Sequence, residues 1–209
     1  MSDHVLVCFA VPQEAKPFRK LIASRADVDV LVTGMGARNA EAAIRGALET
    51  RKPSRVFTCG FAGALDPALL IGDVVFHSSH EPLSAKLSAA GAKPVSFCCA
   101  ERVAITATEK TALRRATEAD AVEMESVVIS SVCSETGVPC AIVRAISDVA
   151  SEDLPLDFNR LMDAEQKLSS VKLALAILTA PHRIPALIRL GQNSARAANE
   201  LARVLAQVI

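Results

Sequence analysis

The sequence predicts an α/β protein: one domain of three layers, in which a mainly parallel, twisted central sheet is flanked by helices. Three observations lead there. Val5 to Val11 is an unbroken apolar run, rich in Val and bounded by polar residues, as expected of a strand buried on both faces. Strand-like and helix-like segments then alternate at a spacing that suits right-handed crossovers between parallel strands. The chain has 209 residues, 51% of them hydrophobic, enough for one substantial core spanning 1–209.

Each element has its own reason. Pro12 opens a helix where its missing N–H costs little, and Phe18, Leu21 and Ile22 form that helix's inner stripe. Val28 to Thr33 is a second strand, ended by Gly34-Met35-Gly36. A helix over 37–50 places Ala40, Ala43, Ile44, Ala47 and Leu48 on one face. Val56 to Gly63 and Asp73 to His77 are further strands. Residues 78–101 mix Ser, Ala, Pro and Gly without a clear period. Val103 to Thr106 reads as a strand and Glu109 to Thr117 as a short helix. Ala121 to Met124 is a strand running into a helix that ends near Ser134, and Cys140 to Ile146 is the last strong strand. The remainder reads as helix. Phe158 to Thr179 carries Leu161, Leu168, Val171, Leu175 and Ile177, and Pro181 breaks it. A helical extension at about 182–209 shows Leu187, Ile188, Leu201, Leu205 and Ile209 at helical spacing. Such a stripe packs on the core or on a partner subunit, with a membrane surface as the lesser alternative.

Composition removes several classes of function. Net charge is zero and no long basic run occurs, so the footprint of a nucleic-acid binder is missing. Trp and Tyr are absent, which leaves little with which to stack bases. Cys8, Cys59, Cys98, Cys99, Cys133 and Cys140 contain no C-x-x-C spacing, so neither a zinc site nor a disulfide framework is expected. His4, His77, His80 and His182 lack ligand spacing; no metal or cofactor is expected. No signal-peptide pattern and no apolar run of membrane-spanning length occurs, so a reducing cytoplasm is the expected setting.

The chemistry concentrates in two segments, Ala121-Val-Glu-Met-Glu-Ser126 and Val143-Arg-Ala-Ile-Ser-Asp148. They place Glu123, Glu125 and Asp148 at the ends of apolar stretches. Burying an unpaired carboxylate costs several kcal/mol, so acids so placed tend to line a site. Pairing with Arg144 or capping a helix is the alternative. Glu14 starts the first helix, where it suits the helix dipole, and parallel strands would bring it to the same sheet edge. Cys59-Gly-Phe-Ala-Gly63 ends a buried strand with glycines that let backbone approach a ligand, or that form a β-bulge. Gly34-x-Gly36 is an incomplete dinucleotide motif, since Asn39 stands where the third glycine belongs. It leaves a helix N-terminus able to receive a polar oxygen or an anion, or a mere tight turn. Arg38 beside it is expected in solvent.

With these residues in place, the chain resembles the purine nucleoside phosphorylase/uridine phosphorylase superfamily, and is most similar to its methylthioadenosine/S-adenosylhomocysteine nucleosidase branch. The likeness is carried by Ala10-Val-Pro-Gln-Glu14, Thr33-Gly-Met-Gly-Ala-Arg-Asn39, Thr58-Cys-Gly-Phe-Ala-Gly63 with Gly72-Asp-Val-Val75, and the two acidic segments. The resemblance implies hydrolysis of an adenosine-type nucleoside bearing a 5′ substituent, with release of adenine. It implies that Asp148 protonates the purine at N7, that Glu125 binds the ribose hydroxyls, and that Glu14 orients and deprotonates water. Met124 would pack under the sugar and Phe158 against the base and 5′ substituent. Gly60, Phe61, Ala62, Gly63, Glu123 and Ser147 would line the site. It also implies a homodimer.

The chain departs from that pattern in three places. Phe61 stands where the nucleosidases commonly carry Ser. The span between Val75 and Ala121 is short, and the chain continues past Pro181. The last two features are similar to the hopanoid-associated phosphorylases of the same superfamily, linked to adenosylhopane. A phosphate-dependent phosphorylase, for which Arg38, Arg55 and Arg102 could bind phosphate, and a non-catalytic nucleoside-binding protein are the competing expectations.

Overall fold

The computed structural model describes residues 4–163 and 169–209. Strands and helices alternate from the start: β1 (Val5–Phe9), α1 (Pro12–Leu21), β2 (Val28–Val32), α2 (Ala37–Arg51) and β3 (Arg55–Ala64). β1 runs parallel to both β2 and β3, and β3 runs parallel to the last strand, β8 (Cys140–Asp148). β4 (Val74–His77) pairs with β8 in the opposite sense and β5 (Lys93–Pro94) lies parallel to β4, giving the order β2-β1-β3-β8-β4-β5. Off this path, β7 (Ala121–Glu123) runs antiparallel to the end of β3 and parallel to β6 (Phe97–Cys99). The sheet is therefore parallel at its centre and mixed at its edge.

Alternation along β1 explains the three layers. Val5, Val7 and Phe9 face a core shared with α1 and with the long helix α8 (Ile184–Val208). Leu6 and Cys8 face the opposite core, shared with α2 and α5 (Ser126–Glu135). Both faces being covered, the strand reads as a continuous apolar run rather than an alternating one. The second half of α8 is part of this core: Ala197, Leu201, Leu205 and Val208 are buried against α1 and the sheet. Each of these Leu and Val side chains contributes roughly 1.5–3 kcal/mol by leaving water.

Four local expectations change. The first strand ends at Phe9, not Val11, because the Ala10 and Val11 amides donate to the Glu14 carboxylate instead of extending the ladder. The stretch 78–101 is ordered into α3 (Glu81–Ala89), β5 and β6. Residues 103–106 form no strand. The Val103 N–H donates to Asn159 Oδ1 at 2.9 Å and its carbonyl accepts from Asn159 Nδ2 at 3.0 Å. Ile105 donates to Glu109, whose carboxylate and Thr106 cap α4 (Ala107–Thr117). Side chains thus take the backbone bonds that a strand would need.

The helix expected over 158–179 is two. α6 (Phe158–Leu161) stops at Met162, which is extended, and α7 (Ser170–Thr179) begins anew with Ser169 capping the Lys172 N–H. Leu168, expected on its apolar face, lies outside the described residues. On α7, Val171, Leu175 and Leu178 are exposed. Among the described residues no single helix is long and apolar enough to cross a membrane.

Candidate active site

Glu14 is held entirely by backbone. Its Oε2 accepts from the Ala10 and Val11 amides at 3.1 and 3.2 Å, and its Oε1 from the Phe61 amide at 3.0 Å. The residue is buried, and burial raises its carboxyl from an ordinary 4.5 to about 7, against the opposing pull of the Phe61 amide and of Arg144. Gly60 is required here: a Cβ on it would lie 2.9 Å from Glu14 Oε1. Phe61 thus serves Glu14 through its N–H, while its ring packs on the core shared with α1 and α8.

Arg144, in the middle of β8, is buried beside Glu14, and its Nη2 donates to Glu123 Oε2 at 2.7 Å and to Thr58 Oγ1 at 3.2 Å. Its Nε and Nη1 are buried without an acceptor. Burial opposes its charge, but Glu123, Glu125 and Glu14 outweigh that and hold the guanidinium protonated. Glu123, expected to line the ligand, is instead consumed inside the protein. It accepts from Arg144, from the Glu125 and Ser126 amides and from Ser126 Oγ, and only 1% of its side chain is exposed. Burial pushes its carboxyl up, but Arg144 and these hydrogen bonds leave it below its ordinary value. Its part is to fix Arg144 and the turn into α5.

That turn delivers Glu125, whose Oε1 accepts from the Gly36 amide at 2.9 Å. The N-terminus of α2 therefore receives an oxyanion from the protein itself, while Arg38 is exposed. Burial, opposed by Arg144, raises the Glu125 carboxyl. Met124 beside it is half-buried.

Asp148 ends β8. Pairing slips between Ala62 and Gly63, which oppose Ile146 and Asp148, so Ser147 is the extra residue of a β-bulge. The bulge re-aims Asp148 across Gly63, where a Cβ would lie 3.0 Å from Oδ2. Of the two readings of the Cys59–Gly63 glycines, the β-bulge is present, with its extra residue on β8. Asp148 Oδ1 accepts from Ser147 Oγ at 2.8 Å, and Oδ2 lies 2.6 Å from the Lys110 ammonium. A cavity of about 340 Å³ opens beside it, lined also by Glu152, Asp153, Ala186, Arg189 and Asn193. Phe158 is half-buried at the start of α6.

Gly60 and Gly63 are three residues apart on β3, about 10 Å at a strand's rise. Glu14 follows the end of β1 and Asp148 ends β8, so both carboxylates stand near the carboxyl ends of the parallel strands, where open α/β sheets bind ligands. A groove of about 1190 Å³ lies elsewhere, around His77, Ser130 and Cys140, and contains none of the expected site residues.

Residues 9–86 and 84–180 match the family described as the phosphorylase superfamily. The chain belongs to this superfamily. Among its relatives is the 5′-methylthioadenosine/S-adenosylhomocysteine nucleosidase of Glaesserella parasuis, 29% identical over 71% of this chain and 80% of that protein. Its fold is similar to native futalosine hydrolase of Helicobacter pylori, with a TM-score of 0.75 at 17% identity over 100% of this chain and 97% of that one. It is equally similar to the methylthioadenosine/S-adenosylhomocysteine nucleosidase of Neisseria meningitidis, with a TM-score of 0.74 at 19% identity over 99% and 98%.

For Glu123 the expected alternative, pairing with Arg144, is what the structure shows; Arg144 carried a usable signal, a charge inside an apolar strand. The residue that the sequence did not single out is Lys110, beside Asp148. Lys110 carried no such signal, being one more lysine on a polar helix.

Proposed function

We propose that the protein hydrolyses the N-glycosidic bond of an adenosine-type nucleoside with a 5′ substituent and releases adenine. The observation that carries this reading is that the Glu14, Glu125 and Asp148 carboxylates all lie toward the carboxyl ends of the parallel strands, Glu14 against Gly60 and Asp148 against Gly63. The nucleosidase relatives of the chain support it. Cleavage leaves positive charge on the sugar and negative charge on the base, and acids at both ends address both charges.

Glu14, with its carboxyl near 7, suits a base at neutral pH. A water that donates to Glu14 can attack C1′. Glu125 takes the ribose hydroxyls, Met124 supports the sugar, and Asp148 protonates N7. Phe158 flanks the base and the 5′ group, which we read as methylthio-like or homocysteine-like, with a lipid-like group as the bulkier alternative. Gly60 and Gly63 keep the floor free of side chains.

Water is favoured over phosphate by charge. Glu14, Glu123 and Glu125 surround one guanidinium already bonded to Glu123, so a phosphate dianion would enter a site of net negative charge. We further read the protein as a cytoplasmic homodimer, since the exposed Val171, Leu175 and Leu178 of α7 are suited to a partner.

The test is to supply adenosine-type nucleosides with short and long 5′ groups, with and without phosphate, and to follow adenine, free sugar and sugar 1-phosphate. Adenine and free sugar at a rate independent of phosphate is the expected result. Sugar 1-phosphate would make it a phosphorylase, and binding without base release would make it a nucleoside-binding protein.

A further inference from the structure

We propose that Lys110 is a positioning residue for Asp148: it holds the carboxyl over Gly63 and offsets the negative charge left there once its proton has passed to the departing base. The inference rests on the hydrolytic reading above and adds to it a residue from an element outside those that carry the carboxylates.

Lys110 is fully buried, and it is the one buried residue of α4. A short surface helix ordinarily docks by apolar side chains; this one sends an ammonium inward. All three of its N–H groups have acceptors: Asp148 Oδ2 at 2.6 Å, the Val149 carbonyl at 2.8 Å and the Glu152 carbonyl at 3.1 Å. With no donor left over, the ammonium has one orientation, and so has the carboxylate it faces.

Stability does not account for the pair. Desolvating two charges cancels much of their attraction, and a well-packed hydrophobe of similar volume serves as well or better. The pair meets the carboxylate that gives its proton away during the reaction. Other charged groups around Asp148 are more weakly placed to do so. Glu152 offers Lys110 its carbonyl, Asp153 accepts from the Ala107 amide at the start of α4, and Arg189 lines the far wall of the cavity on α8.

In the reaction, the Asp148 O–H proton moves to N7 while the C1′–N9 electron pair goes to the base. Asp148 is left as a carboxylate and the ammonium keeps its three protons. The ion pair seen in the structure is the charge state that follows this transfer. Glu14 takes one proton from the attacking water, solvent returns one to Asp148, and no further reactant is needed.

Lys110→Met and Lys110→Arg, each checked for folding by circular dichroism, test the assignment through kcat and KM for adenine release. A residue that only orients Asp148 should move kcat and leave KM: Lys110→Met should lower kcat about 10- to 100-fold with KM within about threefold. Lys110→Arg, which keeps the charge, should recover much of the lost kcat. If Lys110→Met does not fold, Lys110→Gln removes the same charge and is read in the same way. An unchanged kcat in the folded variant beside an active wild type overturns the role of Lys110 alone. A wild type that releases no base from any nucleoside overturns the hydrolytic reading, and Lys110's role with it.

Discussion

Glu14 and Asp148 are each pressed against a glycine of β3, yet they are held in different ways. Glu14 is fastened by three backbone amides and no contacting charge, so burial dominates and its carboxyl rises to about 7. Asp148 is fastened by a serine hydroxyl and a buried ammonium. Neutral amides orient a carboxylate without setting a charge against it; a cation orients it and sets one there. On the proposed reading, these surroundings divide the labour of base and acid between the two carboxylates.

The largest expected effect breaks the acid end. Asp148→Asn keeps the shape and removes the transferable proton, and adenine release should fall about 10³- to 10⁴-fold while nucleoside affinity, measured by calorimetry, stays within a few-fold. Next is the buried cation. Arg144→Met leaves Glu123 buried without its charge partner and should destabilise the fold by about 3–5 kcal/mol in urea unfolding.

A smaller effect sharpens the base end. Because the Glu14 carboxyl is raised by folding, its contribution to stability is full below about pH 4.5, declines as pH rises to about 7, and is constant above that. The decline should amount to about 3 kcal/mol and be missing from Glu14→Gln. In the enzyme the same group must be ionised to act, so kcat/KM should rise with pH through about 7 and lose this limb in Glu14→Gln. The smallest effect is that of Gly60→Ala, whose Cβ must displace Glu14 Oε1 and should cost about 1–2 kcal/mol of stability and roughly tenfold in kcat. An unchanged rate would show that the position of Glu14 is not critical.

Much of this was legible in the chain. The apolar run at Val5, the alternation of elements and the acids at strand ends led to the sheet and to Glu14, Glu125 and Asp148. What escaped depended on contacts distant in sequence. Nothing local in 103–106 shows that Asn159, 56 residues on, takes up the Val103 backbone. Glu123 and Glu125 look alike two residues apart; only the position of Arg144 consumes one and leaves the other at the helix of Gly36. Lys110 differs from its exposed neighbours only by what α4 lies upon.

By itself, then, the sequence determined the layers, the sheet and the identity of the acids, because periodicity and burial are written in the order of residues. The tertiary structure alone decided what each acid touches. Charge state and orientation follow from the few ångströms between groups brought together from separate elements, and no spacing along a chain encodes those distances.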